Sequence, residues 1–333
     1  MAKFYASTSA DSALAGAGSR SGARGQGFWR DLDWILLIAG LALTVLGSVL
    51  VWSASRADLA SPTDPQSYLK RHVINVVVAI VLGYFASRLN YRWLRAYTPI
   101  IYGISFFLLL LPFVPGIGVT VAGARAWIDL PGGLTLQPSE FMKIAVILMM
   151  AVLLSERKDI EIEPSGRDVL LALTAAGLPI GVILLQNDTG TVLVLGTVAV
   201  SVMAVAGIRT RWLVGLIGSA ALSMLLAVQL GLLKQYQVAR LTSFISPDSD
   251  TGASAYNANQ ARIAIGGGGW FGVGLFEGPQ TQGKFVPVNE SDFIFTVSGE
   301  ELGFIGSVLL ILLLAVLLWR AATIAWKADD QYG

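Results

Sequence analysis

The stretch KFVPVNESDFIFTVSGEELG (Lys284–Gly303) is where a long polar segment runs into an apolar one. From Phe293 to Trp319 the chain is mostly apolar. At about 1.5 Å per residue, a helix of this length crosses a hydrocarbon core about 30 Å thick. Asp292 then lies at the boundary between lipid and water, and we expect the fold to be organised around a bilayer.

Helical spacing over this stretch predicts one small, polar face. Its members are Asp292, Thr296, Gly299, Glu300, Gly303, Gly306 and Ser307. Glu301 points almost opposite Asp292 on such a helix. Because charged side chains facing lipid cost on the order of several kcal/mol, the face must pack on helices or line a wet cavity. Two interpretations stay open: a structural cap by Ser291 or Asp292 with Glu300 hydrogen-bonded between helices, or a functional site.

Composition identifies an integral membrane protein. Of 333 residues, 54% are hydrophobic and 14% are charged, with a mean hydropathy of +0.66. The net charge of +1 argues against nucleic acid as a partner. The chain has no cysteine, which excludes disulfides and thiolate chemistry, and its one histidine, His72, is interpreted as an interfacial residue.

Apolar runs predict an all-α polytopic helix bundle with about eight spans. We place them at 34–52, 73–86, 96–114, 140–154, 169–185, 189–208, 212–233 and 293–319. They form one transmembrane domain over 33–319, between a disordered tail (1–32) and a C-terminal end (320–333). Two connections are long, 115–139 and 234–292, and eight alternating crossings put both on the same side.

Charge predicts which side that is. The segments on the side of the N-terminus hold almost twice as many Lys and Arg as the segments on the other side. The positive-inside rule then makes the N-terminus and residues 320–333 cytoplasmic, and it makes loops 115–139 and 234–292 extracytoplasmic. The chain is therefore expected to be a multi-pass protein of the plasma membrane.

The first long loop and the turn before the sixth span carry candidate polar sites. Glu140 and Lys143 begin the fourth span, either as an ion pair one turn apart or with Lys143 held for an anionic ligand. Asp188 lies in a tight turn and caps the next helix in the simpler interpretation.

The second long loop has enough aromatic residues to be ordered. Tyr256–Ile265 is predicted to form a short helix lying on the membrane surface. The glycine-rich run Gly266–Gly274 follows. It suits a flexible re-entrant turn, and the alternative is a backbone cradle for phosphate.

Several motifs in the same order resemble the SEDS family of cell-wall polymerases, within it the branch that serves elongation. They are GARAWI (Gly123–Ile128), QPSEFMK (Gln137–Lys143), NDTGT (Asn187–Thr191), YQVARL (Tyr236–Leu241), YNANQARIAIG (Tyr256–Gly266) and DFIF…GEELGF (Asp292–Phe304). The likeness runs from about Asp33 to the end of the chain. It implies a ten-helix membrane glycosyltransferase that polymerises lipid II into peptidoglycan strands beside a class B penicillin-binding protein.

The chain departs from the family pattern in three places. Gln186–Thr191 replaces the usual Gln-Pro-Asp-Leu-Gly-Thr, and Val288–Phe293 replaces the usual Glu-x-x-Thr-Asp-Phe. Asp188 and Asp292 are kept in both. The third difference is that the last two helices of the family are expected to be missing. We therefore expect this chain to be less active than a ten-helix member.

The resemblance also implies roles for individual residues. Asp292 matches the acid proposed as the general base, which a hydroxyl nucleophile requires. The pyrophosphate leaving group needs cations, and we assign them as Arg125 and Lys143, then Arg240 and Arg262. Asp188 and Glu300 complete the substrate-binding set, with Glu300 positioning a cation. No cofactor is certain, and a divalent cation stays open.

Three other functions fit the sequence. A flippase or transporter of lipid-linked precursors would also carry polar, glycine-rich spans. A scaffold for the crosslinking partner and a division polymerase of the same family are the others. The motifs cluster on the predicted outer side, which favours an extracytoplasmic enzyme over a transporter.

Overall fold

The structure, a computed structural model, describes residues 32–56, 67–121, 123–130, 134–155, 164–231, 253–328 and 332. Helices dominate it. They are α1 (Trp34–Ser55), α2 (Ser67–Arg88), α3 (Tyr91–Leu110), α4 (Pro138–Ser155), α5 (Gly166–Leu185), α6 (Thr189–Val205), α7 (Thr210–Gln229), α8 (Ala253–Gly267), α9 (Pro279–Gln282), α10 (Ile294–Val297) and α11 (Gly303–Trp326).

Seven stretches of the described chain are long and apolar enough to cross a membrane. They are Trp34–Ser55, Tyr68–Arg88, Arg92–Phe113, Pro138–Ser155, Gly166–Leu185, Thr210–Gln229 and Ile294–Trp326. The sixth predicted span, α6, is an apolar helix of 17 residues and is shorter than these seven stretches. The prediction of a polytopic helical membrane protein is confirmed.

Polar side chains mark where several of these helices begin. The Asp33 carboxylate accepts a hydrogen bond from the Leu36 amide, 3.0 Å away, at the start of α1. Ser165 and Asp168 form a reciprocal capping box at the start of α5. Each cap satisfies amides that have no partner inside the helix.

A small antiparallel sheet occupies part of loop 115–139, where no regular structure was predicted. Its strands are β1 (Gly118–Val121), β2 (Ala124–Leu130) and β3 (Leu134–Leu136), in that order. Val119 pairs with Trp127, and Asp129 pairs with Thr135. Ala126 and Ile128 are buried while Asp129 is exposed, which is the alternation expected of a half-buried strand.

The described chain divides into two compact units. Of the described residues, those up to 76 and from 257 to 326 belong to the first unit, and those from 77 to 256 and after 326 belong to the second. In the first unit, α1 packs against α10 and α11. Leu50, Ala54 and Val297 form the buried contact between them.

In the second unit, α3, α4, α5 and α6 pack around a shared apolar core. Its largest members are Leu109, Met142, Met150, Ile183, Leu195 and Met203. Methionine fills irregular gaps well because its side chain is unbranched and flexible. α7 belongs to this unit by sequence and has no buried residue.

The predicted continuous helix 293–319 is wrong, because the structure breaks it. α10 ends at Val297, one wide π-type turn covers Ser298–Leu302, and α11 starts at Gly303. Gly303 has a φ of 68°, and a Cβ there would lie 2.2 Å from the Gly272 amide nitrogen. The single polar face from Asp292 to Ser307 therefore does not form.

The glycine-rich segment explains the break. The amides of Val273 and Gly274 donate to the carbonyls of Glu300 and Glu301, at 3.0 Å and 3.2 Å. A Cβ at Gly272 would lie 2.1 Å from the Glu301 carbonyl oxygen, so only glycine allows this approach. These amides bind protein carbonyls, and they are therefore not available as donors to a phosphate.

Candidate functional site

Asp292 is exposed at the end of the segment that leads into α10. The cap position of α10 is Phe293, and no side chain caps that helix. The alternative in which Ser291 or Asp292 is a helix cap is therefore wrong. Within the described part of the chain, the Asp292 carboxylate makes no hydrogen bond or ion pair, so both of its oxygens can accept a proton from a ligand.

Glu300 is buried, with 1% of its surface exposed, and it accepts three hydrogen bonds. Its Oε1 accepts from the Gln280 amide at 2.7 Å. Its Oε2 accepts from the amide and the hydroxyl of Thr281, at 2.9 Å and 2.6 Å. Glu300 thus caps the short helix α9 from outside it, and hydrogen bonding to a second helix is confirmed. Among the described residues no cation contacts it.

Glu301, which the sequence placed opposite Asp292, is equally buried. Its Oε1 accepts a hydrogen bond of 2.6 Å from the hydroxyl of Ser53 on α1. Gln282 donates to the same hydroxyl oxygen at 3.4 Å. Two adjacent acids within an apolar run could have indicated that both Glu300 and Glu301 are buried. The prediction of a regular helix hid this, because adjacent side chains on such a helix point in different directions.

Asp188 caps α6, as one of the two interpretations predicted. Its Oδ1 accepts from the Thr191 amide at 3.0 Å, and its Oδ2 accepts from the Thr191 hydroxyl at 2.7 Å. The Gln137 amide group also donates to Oδ2, at 2.9 Å. Asp188 therefore joins the start of α6 to the residue just before α4.

Lys143 and Glu140 form the predicted ion pair, with 2.8 Å between Nζ and Oε1. The Glu140 side chain is 57% exposed and that of Lys143 is 25% exposed. An exposed pair of this kind is weak, because water competes for both charges. An anionic ligand can therefore replace Glu140 as the partner of Lys143 at little cost.

Arg125 is linked through its backbone to the turn before α6, because its amide donates to the Gln186 carbonyl at 2.9 Å. Its side chain is half-buried and makes no ion pair with described residues. The Arg125 amide is thus linked to the segment that carries Asp188, and Asp188 is linked through Gln137 to the residue before α4, the helix that carries Lys143. The side-chain Oε1 of Gln186 and the hydroxyl of Ser139 are buried there and have no hydrogen-bond partner in the part of the chain that the structure describes.

The two remaining candidate cations, Arg262 and Arg240, do not lie on these segments. Arg262 is exposed on α8, and the first unit holds it together with Asp292 and Glu300. The predicted helix Tyr256–Ile265 is confirmed inside α8. Arg240 lies outside the described residues. In the part of the chain that the structure covers, no three His, Asp or Glu side chains form a group suited to a metal ion.

Named proteins from other bacteria are similar to most of the chain. A probable peptidoglycan glycosyltransferase FtsW of Trichlorobacter lovleyi is 37% identical over 305 residues, which cover 91% of this chain and 78% of that protein. The stage V sporulation protein E of Bacillus subtilis is 36% identical over 306 residues, 90% of this chain and 81% of that protein.

Solved structures share the fold. A chain from a peptidoglycan synthase complex that coordinates polymerization and crosslinking matches with a TM-score of 0.68 and 27% identity, over 91% of this chain and 81% of that one. RodA of Thermus thermophilus matches with a TM-score of 0.62 and 28% identity, over 91% and 78%. The family model for cell cycle proteins of the FtsW, RodA and SpoVE type matches residues 33–333. The chain therefore belongs to the FtsW/RodA/SpoVE family, the SEDS proteins.

Proposed function

We propose that the chain polymerises lipid II into peptidoglycan glycan strands on the outer face of the plasma membrane. The observation that carries the proposal is the exposed carboxylate of Asp292, which has no partner among the described residues and lies where the chain enters a membrane span. Relatives that carry the name probable peptidoglycan glycosyltransferase support this reaction class.

In the proposed reaction, Asp292 takes the proton from the 4-hydroxyl of one lipid-linked sugar. The hydroxyl oxygen forms a bond to the anomeric carbon of a second lipid-linked sugar, and the bond from that carbon to the pyrophosphate breaks. Polyprenyl pyrophosphate leaves as a stable anion, so it needs cations rather than a general acid. Because the Asp292 carboxylate is exposed, the 4-hydroxyl of a bound sugar can approach it to hydrogen-bond distance.

Lys143 and Arg125 are the first cations that we assign to the pyrophosphate. Lys143 exchanges Glu140 for pyrophosphate oxygens, and the Arg125 guanidinium makes forked contacts to them. Asp188 fixes the start of α6 and, through Gln137, the segment that leads into α4. Arg262 and Arg240 are assigned further pyrophosphate contacts, and Glu300 supports the Asp292 segment from within the protein.

A class B penicillin-binding protein is the proposed partner. A structurally similar chain belongs to a peptidoglycan synthase complex in which polymerization and crosslinking are coordinated. The proposed reaction joins sugars and does not crosslink peptides. A transpeptidase is therefore needed to crosslink the strands. Copurification of the two full-length proteins in detergent tests the partnership.

Cell elongation is the role we propose, on the likeness to RodA. The identity to FtsW and to the sporulation protein supports a division-type polymerase as the second candidate. A fluorescent fusion in the native cell distinguishes the two. Signal along the lateral wall or at the sites of wall growth during elongation supports the first role, whereas signal confined to the septum supports the second.

The activity itself is tested with purified protein, its partner and lipid II. We expect glycan chains of many disaccharides on a gel, and their loss when a muramidase is added. Lipid II that moves across a vesicle membrane without forming polymer would contradict the proposal and support a flippase.

A further inference from the structure

A chain of hydrogen bonds runs through the first unit from the broken helix to the segment that carries Asp292. It starts at the buried carboxylate of Glu300, which binds the amide and the hydroxyl of Thr281. The Thr281 carbonyl accepts from the Asn289 side-chain amide at 3.3 Å. Thr281 and Asn289 are both buried, with 2% and 0% of their surfaces exposed.

This series of hydrogen bonds continues from Asn289 to the surface. The Oδ1 of Asn289 accepts a hydrogen bond from the Lys284 ammonium at 3.1 Å. Lys284 also lies 3.4 Å from the Glu290 carboxylate. Both polar ends of the Asn289 side chain are therefore used, and the residue lies three positions before Asp292.

The backbone between these residues is held in an unusual conformation. Lys284 and Val288 both have a φ of 53°, a backbone conformation that residues other than glycine rarely adopt. The amides of Ser291 and Phe293 both donate to the Val288 carbonyl, at 3.2 Å and 3.3 Å. Such strained positions persist only where the surrounding structure fixes them, and here the surrounding structure is the hydrogen-bond chain.

We propose that Thr281 and Asn289 are positioning residues for the Asp292 carboxylate. This inference rests on the proposed function of Asp292. Neither side chain reaches substrate, because both are buried under the segment that they hold. They act by fixing the backbone from 284 to 292, and Glu300 anchors the chain to the broken membrane helix.

The chemistry explains why this positioning matters. A general base must lie within hydrogen-bond reach of the proton that it takes, and a displacement of about 1 Å can cost about 100-fold in rate. Asp292 has no hydrogen bond of its own among the described residues. Its position is therefore set by its backbone, and the backbone is set by Thr281 and Asn289.

The test compares isosteric variants in lipid II polymerisation, with kcat and KM measured separately. Thr281→Val removes the hydroxyl that Glu300 accepts from, whereas Thr281→Ser keeps it. Asn289→Asp replaces the donor to the Thr281 carbonyl by an acceptor. We expect kcat to fall about 10- to 100-fold in Thr281→Val and Asn289→Asp, with KM within about threefold, and Thr281→Ser to stay near the parental values.

Lys284→Met is the second variant, chosen because Lys284 is partly exposed. It removes the donor to the Asn289 Oδ1 and leaves the bonds between Asn289, Thr281 and Glu300 in place. It should lower kcat by about three- to tenfold with KM within about threefold. Parental kcat in Lys284→Met, Thr281→Val and Asn289→Asp, beside an inactive Asp292→Asn, would overturn the positioning role and leave the proposed function standing. An active Asp292→Asn would overturn both.

Discussion

Ser53 on α1 donates a 2.6 Å hydrogen bond to Glu301, an acid buried at the break between α10 and α11. The other carboxylate oxygen of Glu301 has no hydrogen-bond partner among the described residues. A buried acceptor that loses its donor costs about 1–3 kcal/mol, because water cannot replace the bond. This single hydroxyl therefore stabilises the packing of the broken helix on α1.

We predict that Ser53→Ala lowers the stability of the protein in detergent by about 1–3 kcal/mol. Ser48→Ala on the same helix is the matched control, because the Ser48 hydroxyl donates to the Thr44 carbonyl of its own helix. The control should change stability by less than about 0.5 kcal/mol. Thermal unfolding of both variants measures the difference, and equal melting temperatures would refute it.

A second prediction concerns Asp33, which lies before the first span. Its carboxylate accepts hydrogen bonds from the Arg320 guanidinium and from the Leu36 amide. The Arg320 bond, followed by the Leu36 bond, lowers the pKa of Asp33 in the folded protein. The stabilisation is therefore complete above the ordinary Asp pKa of about 3.9, and it is lost as the pH falls through the lower folded value.

The measurement compares the parental chain with Asp33→Asn at several pH values. The parental protein should have the higher melting temperature at pH 7, and the difference should shrink below about pH 4. A difference that stays constant down to the lowest pH would mean that the charge of Asp33 contributes nothing.

The third prediction separates the structural and catalytic uses of Asp188. Asp188→Asn keeps an acceptor for the Thr191 amide but replaces the acceptor at Oδ2 by a donor, so it should lose less stability than Asp188→Ala and still polymerise lipid II. Asp188→Ala removes the cap and should lose about 1 kcal/mol of stability. Melting temperatures of the two variants test this, and an equal loss in both would exclude the capping role.

The fourth prediction is the membrane sidedness. Ser291 and Ser87 are both exposed, and the chain has no cysteine of its own. In intact cells an impermeant maleimide should label Ser291→Cys and should label Ser87→Cys only after the membrane is opened. The reverse pattern would invert the proposed topology.

The spans were predictable because hydropathy and length decide them. α1 and α5 begin within about three residues of the predicted starts, and the structure adds the caps Asp33 and Ser165. The ion pair of Lys143 and the capping role of Asp188 followed from local spacing. Each was one of the two alternatives that the sequence allowed.

What was missed depends on contacts between distant residues. Periodicity treats Phe293–Trp319 as one helix, but the carbonyls of Glu300 and Glu301 bind amides about 27 residues earlier. The sheet of loop 115–139 has strands too short to stand out from their surroundings. The partners of Glu300 and Glu301 likewise come from α9 and α1, which no local pattern connects to them.

The rate of lipid II polymerisation by Asp292→Asn tests the central claim most directly. Asp129→Asn, the same change at an exposed aspartate of the small sheet, is the control. Loss of a general base removes on the order of 10²–10⁴ in rate, so Asp292→Asn should make almost no glycan while it inserts, melts and binds its partner like the parental protein. Asp129→Asn should polymerise at the parental rate. If Asp292→Asn polymerises near that rate while Asp188→Asn makes no glycan, the base is not Asp292.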